Sequence, residues 1–294
     1  MTTNLTNEVI IKVLGTAQDA GVPHAGCYCD HCRAALENPH LKRFAAALAI
    51  VLPEKQKWHL IDATPDVREQ MNMMKEDYPN MGLMSSILLT HAHIGHYTGL
   101  MFLGREAIYT NKLPVFAGAK MAEVLRNDVP WKQLVDLENI QIEDIRKKNS
   151  FQLESCVEIT PLDIPHRNEY SETFGFIIKG PNKKCLYIPD IDRWEQWDKD
   201  LKEVAANVDY CLLDATFYSE KEPALEGLDY REIPHPCITN TMDLLEDVVK
   251  SNPVKVYFTH FNHTNPVVDF DDPKRDIIKE RGFFIADEGI TFTL

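Results

Sequence analysis

The sequence predicts a layered α/β protein, on three observations. Short apolar strand-like runs recur along the chain, amphipathic helical stretches separate them, and the histidines and aspartates best suited to chemistry stand directly after the runs. VIIKVLG (9–15) reads as a buried strand ending at Gly15, and the loop TAQDAGVPHAG that follows delivers three crowded cysteines. ALAIVL (47–52) and WHLIDAT (58–64) are two more strands across the polar turn PEKQK, followed by VREQMNMMKEDY (67–78) with helical spacing. SSILLT (85–90) stops at a histidine cluster, helical texture resumes in HYTGLMFLGREAIY (96–109), and LPVFAG and VLRNDV continue the alternation.

The second half repeats this outline. FQLESCVEITPLDI, TFGFIIKG, KCLYIPD, VDYCLLDAT and VKVYFTH read as strands, with helices in DLKEVAAN and TMDLLEDVVKS. Two pseudo-equivalent α/β halves follow, but no low-complexity linker divides them, so residues 1–294 are expected to form a single domain. With 294 residues, 44% of them hydrophobic, a large core forms without help from disulfides. A formal net charge of −14 argues against a nucleic-acid face and leaves a small-molecule substrate as the expected partner. No run is long enough to span a bilayer, and MTTNLTNEVIIKVLG has neither a basic nor an apolar leader region, which reads as cytoplasmic.

In THAHIGHYTGL, His91 and His93 follow a strand two residues apart, so an extended backbone aims both imidazoles to one side, and His96 comes one turn later. Neutral imidazole is the commonest metal ligand, and three so close repel one another if protonated together. His166, Asp190 and His260 also lie just beyond strands. A lone buried histidine is ordinarily a hydrogen-bonded core residue and a lone aspartate a turn or cap, but strand ends on one sheet edge converge, so these distant residues can share a site. Cys27, Cys29 and Cys32 form C-x-C-x-x-C, three soft thiolates able to wrap one face of a tetrahedral zinc ion, with a fourth ligand still required. Cys156, Cys185 and Cys211 sit in apolar runs and read as core, while Cys237 is undecided.

THAHIGHYTGL resembles the HxHxDH signature of the metallo-β-lactamase superfamily, and His166, Asp190 and His260 fall where that family places later ligands. The resemblance implies a four-layered αββα sandwich with metal on one edge. His91, His93 and His166 would hold one ion, His96 and His260 a second, Asp190 would bridge them, and Asp62 would support the site by hydrogen bonds. Gly95 departs from the signature, standing where the family has an aspartate ligand. That leaves one ion, or two with a substitute such as Asp192. GTAQDAGVPHAGCYCDHC, FTHFNHTNPVVDFDDP and ADEGI together resemble the coenzyme PQQ synthesis protein B group across nearly the whole chain. The clip and PLDIPH…TFGFIIKG also resemble the phosphoribosyl cyclic phosphodiesterase of phosphonate breakdown, where a histidine at the place of His263 closes a structural zinc site.

The expected activity is hydrolysis of an ester, phosphodiester or lactone by water activated on zinc, with manganese or iron also compatible, and with Asp190 and His260 in the reaction centre. His24, Glu169 and Tyr170 lie near enough in sequence to reach substrate, but exposed loop residues often do no more than face solvent. Two competing readings stand beside hydrolysis: a cofactor-biosynthesis factor using a redox metal, and a non-catalytic metal-binding module in which Gly95 marks decay. The open sheet edges of such sandwiches are compatible with a homodimer. Neither GxxxxGK[ST] nor GxGxxG occurs, so phosphate-loop nucleotide binding finds no support.

Overall fold

A computed structural model describes residues 7–145, 149–222, 229–233 and 235–294. The first six residues, on which part of the leader reading rests, lie outside them. Among the described residues fourteen strands make two seven-stranded sheets. In the first, β1 (Ile10–Gly15), β2 (Ala47–Leu52), β3 (Lys57–Ile61), β4 (Ile87–Leu88), β5 (Leu113–Ala117) and β6 (Ile140–Asp144) lie side by side in chain order. The second holds β7 (Phe151–Glu154), β8 (Val157–Ile164), β9 (Thr173–Lys179), β10 (Lys184–Ile188), β11 (Tyr210–Asp214), β12 (Lys255–Thr259) and β13 (Phe284–Ile285), again in order. The last strand, β14 (Thr291–Thr293), leaves the second half and pairs antiparallel with β1.

Strand composition explains the stacking. In ALAIVL every residue is buried, because both faces of β2 are covered. Leu48, Ile50 and Leu52 point into the layer between the sheets, where they meet Phe176, Ile178, Tyr187 and Leu212. Ala47, Ala49 and Val51 point the other way, into a layer shared with Val67 and Met74 of α2 (Val67–Asp77) and with Met121 and Leu125 of α4 (Ala119–Asn127). On the far side, Ile238, Met242 and Leu245 of α7 (Ile238–Ser251) and Ile278 of α8 (Lys274–Glu280) cover the second sheet. The layer order is therefore helix, sheet, sheet, helix, as expected.

Two elements differ from the sequence reading. Residues 151–164 form two strands, not one, since Ser155 and Cys156 make a tight turn between β7 and β8, and Cys156 is half-buried there instead of core. The texture after the histidines forms only a short α3 (Ile94–Tyr97) and a 3-10 turn (Thr98–Leu103), because the chain must dive back under β3: Gly99 N–H donates to the Ala63 carbonyl at 2.8 Å.

The register sets up the site. β3, β4, β5 and β6 are mutually parallel, as are β10 to β13, and two antiparallel steps bring β1 into line with β3 and β8 into line with β10. The C-terminal ends of β1, β3, β4, β8, β10, β11 and β12 therefore lie along common edges. Loops leaving parallel strand ends are where α/β proteins assemble chemistry.

Candidate metal centre

His91 follows β4, and its Nε2 lies 2.9 Å from Nδ1 of His93. His166, after β8, brings its Nε2 within 3.2 Å of the same nitrogen. Asp190, after β10, lies at the middle of the group. Its Oδ2 is 3.0 Å from His96 Nε2, 3.2 Å from His260 Nε2 and 3.4 Å from His91 Nε2, while Oδ1 is 3.6 Å from His166 Nε2. Two donors held by one zinc at about 2.0–2.1 Å sit roughly 3.4 Å apart in a tetrahedron, the separation Asp190 keeps from His91 and His166, while the shorter spacings fall in the hydrogen-bond range. The fit has a second sign. Nε2 of His96, Nε2 of His260 and Oδ1 of Asp190 are buried with no hydrogen-bond partner among the described residues, although buried polar atoms are normally satisfied.

Carboxylates fix the ring orientations from behind. Asp62, directly after β3, accepts from His96 Nδ1 at 2.8 Å and from the Thr90 amide at 2.8 Å, so the supporting role expected for it is the role its geometry describes. Asp192 accepts from His166 Nδ1 at 2.9 Å and from the Arg167 amide at 3.2 Å. Its carboxylate is engaged on the back of a histidine, which corrects the expectation that it could replace the missing ligand at position 95. Asp62 and His260 hold φ of 66° and 63°, a left-handed backbone rarely adopted by side-chain-bearing residues. Each of the two positions ends a strand and turns its side chain into the site.

Electrostatics separates the imidazoles into two kinds. Burial, helped by His96, holds His91 well below the imidazole range against the pull of Asp190, and burial with His166 pushes His93 down to about 4. Burial also opposes charge on His96 and His260, but Asp62 with Asp190 in the first case, and Asp190 in the second, outweigh it and raise both. Asp190 is held well below the carboxylate range against burial, chiefly by His260 and His166. Imidazole nitrogens gathered around one buried carboxylate form a donor set that suits a divalent cation.

Sequence reasoning missed two members. Asp214 ends β11 and accepts from His235 Nδ1 at 2.9 Å, from the Ile191 amide at 3.1 Å and from the Thr216 amide at 3.0 Å. His235 Nδ1 also lies 3.4 Å from Asp190 Oδ1. The strand-end rule that found Asp190 would have found Asp214 in YCLLD. No such rule reaches His235, which comes from irregular chain before α7.

The cysteines form a separate group. The donor atoms of Cys27, Cys29, Cys32 and His263 all lie within 4.8 Å of one another, and His263 Nδ1 is 3.6 Å from the sulfurs of both Cys27 and Cys29. A sulfur and a nitrogen on one tetrahedral zinc are separated by roughly 3.6 Å, from bond lengths of about 2.3 and 2.1 Å. Burial pushes the Cys32 thiol up to about 12, and burial with His24 and His31 pushes His263 down to about 4. Among the described residues no disulfide forms, and Cys32, Cys185, Cys211 and Cys237 are buried.

Beside the histidines opens a cleft of about 480 Å³ lined by His93, Tyr97, Trp131, Arg167, Tyr170 and Asp19 among others. Glu169 Oε2 lies 3.8 Å from His93 Nε2, while the ring of His24 packs 4.4 Å from that of His263, beside the clip and away from the cleft. Among the described residues no helix is long and apolar enough to cross a membrane.

A family model described as a β-lactamase superfamily domain matches residues 57–261. Coenzyme PQQ synthesis protein B of Methylorubrum populi is 26% identical over 313 residues, covering 97% of this chain and 99% of the relative. The protein of the same name from Methylococcus capsulatus is 27% identical over 310 residues, covering 97% and 100%. Zn(2+)-bound PqqB from Methylobacterium extorquens superposes with a TM-score of 0.80 at 24% identity, over 97% of this chain and 100% of that one. A diphosphatase from the PhnP family gives 0.69 at 21% identity, over 98% and 97%.

Proposed function

Since the chain belongs to the β-lactamase superfamily and has its metallo-β-lactamase fold, we propose that it is a metal-dependent hydrolase of a small ester, phosphodiester or lactone. The observation that carries this reading is the set of buried, unpartnered atoms on His96, His260 and Asp190 facing the His91–His93–His166 group. His91, His93 and His166 would hold one divalent ion and His96, Asp190 and His260 a second. Zinc suits these donors, and manganese or iron is compatible with them. A metal at this position supplies water acidified to a pKa of about 7 and a Lewis acid for the scissile carbonyl or phosphoryl group.

The chain's own residues do the rest. Tyr97, Trp131 and Tyr170 give the cleft an aromatic wall, and Arg167 supplies a cation for an anionic substituent. His235, held by Asp214 through Nδ1 and 3.4 Å from Asp190 Oδ1 through the same nitrogen, positions the shared carboxylate. The cysteine clip, with four protein donors and no open position, is a structural zinc site that ties the loop after β1 to the loop after β12.

Hydrolysis of a bis-aryl phosphodiester and of an aryl ester by zinc-loaded protein, each lost on chelation and restored by metal, tests the reading. Absence of turnover on both, with the metal bound, would count against it. The PQQ synthesis relatives, matched over nearly their full length, favour one second reading, a cofactor-biosynthesis factor using a redox metal. Iron in place of zinc at the histidine group of freshly purified protein would select it.

A further inference from the structure

The glycine that breaks the signature is not an empty place. A Cβ built on Gly95 would meet Asp19 Oδ1 at 2.1 Å, Asp19 Cα at 2.6 Å and Asp19 Cγ at 2.9 Å, a collision with backbone as well as side chain. The Gly95 amide donates to Asp19 Oδ1 at 2.9 Å, and that oxygen lies 3.8 Å from the buried, unpartnered Nε2 of His96. Asp19 comes from the loop after β1, whose end the register carries to the same edge as β3. The loop is fixed there: Gln18 N–H donates to the carbonyl of Phe261, the neighbour of His260, at 2.9 Å, and Gly21 N–H donates to the carbonyl of Gln18 at 2.8 Å.

The other carboxylates near His96 are already engaged. Asp62 faces Nδ1, the opposite side of the ring, and Asp190 is shared among five histidines. Asp192 and Asp214 are bonded to the Nδ1 atoms of His166 and His235. Among the described residues only Asp19 presents a carboxylate oxygen to Nε2 of His96 from the cleft side, with its side chain 35% exposed and so open to an entering ion. Two neutral imidazoles and one shared carboxylate make a three-donor set that under-coordinates a divalent ion, and a second carboxylate both completes it and balances its charge.

We infer that Asp19 is the missing carboxylate ligand of the second ion, supplied from the N-terminal loop in place of the signature residue at position 95, with Gly95 required to make room for it. The inference rests on the metal centre proposed above. Its test is the number of zinc ions per chain by elemental analysis after dialysis against buffered free zinc, which needs no substrate.

Wild-type protein is expected to hold about three ions, one in the clip and two at the histidines. Asp19→Asn, equal in size, should hold two, with affinity for the third weakened by at least ~10²-fold. The exchange Asp19→Gly with Gly95→Asp should return the count to three, separating ligation from mere support of the loop. Asp19→Asn protein that keeps three ions at wild-type affinity would overturn the role of Asp19 and leave the metal centre standing. An exchange variant that stays at two would assign the loss to the loop and also overturn it. Wild-type protein holding only the clip ion would remove the metal centre and this inference together.

Discussion

Two groups of potential ligands lie at one end of this molecule, and they are built on opposite plans. The cysteine clip draws Cys27, Cys29 and Cys32 from six consecutive residues and closes with one distant histidine, His263. The histidine centre draws its candidate ligands from beyond the ends of four strands, β4, β8, β10 and β12, and backs its rings with carboxylates, Asp62 behind His96, Asp192 behind His166 and Asp214 behind His235. A closed set of soft donors has nothing left to offer a substrate. An open set with oriented imidazoles and a cleft beside it does.

The comparison breaks most sharply on the ligands themselves. His91→Ala should lower kcat/KM by ~10³-fold or more and reduce zinc content, since it strips the ion that activates water. Equal activity in that variant would dissolve the distinction between the two groups. His235→Ala should lower kcat by about 10–10²-fold with zinc content unchanged, as expected of a residue that positions Asp190 without ligating. A variant that loses zinc instead would make His235 a ligand.

Cys29→Ala reports on the other plan. It should leave kcat/KM per folded molecule within a factor of ~3, while costing about 3 kcal/mol of stability, or roughly 6–12 °C in Tm for a chain of this size. A large fall in activity at constant stability would show that the clip does more than tie two loops together.

A pH-dependent effect lies outside both sites and sets their baseline. His59, hydrogen-bonded to Ser86 at 2.7 Å, is pushed down to about 4 by burial. The unfolded chain titrates it near 6.5, so its contribution is fully present above pH 6.5 and is lost as pH falls from 6.5 towards 4, by up to about 1.4 kcal/mol per pH unit. Denaturant unfolding of His59→Gln should show a pH slope flatter by about one proton in that window. An unchanged slope would assign the acid limb of stability to the metal sites.

Local pattern carried much of this protein. Alternating apolar strands and helices gave the layered α/β order, because burial on both faces of a strand such as ALAIVL and on one face of a helix such as α7 is written in residue spacing. Three histidines within THAHIGHYTGL and three cysteines within CYCDHC were equally legible, since ligands a few residues apart share a strand end or a loop whatever the rest of the chain does.

Tertiary structure alone decided which distant residues join them. The turn at Ser155 and Cys156 was hidden inside an apolar run, His235 stands in irregular chain with no periodicity, and Asp192 proved to support a ring instead of facing the pocket. Asp19 looked like one acidic residue in a glycine-bearing loop. Its place against Gly95 depends on two antiparallel steps from β1 to β3 and on the closing of two sheets over one edge. Sequence spacing fixes neighbours along the chain, whereas contact between residues 76 positions apart is set by register and packing, which no local pattern encodes.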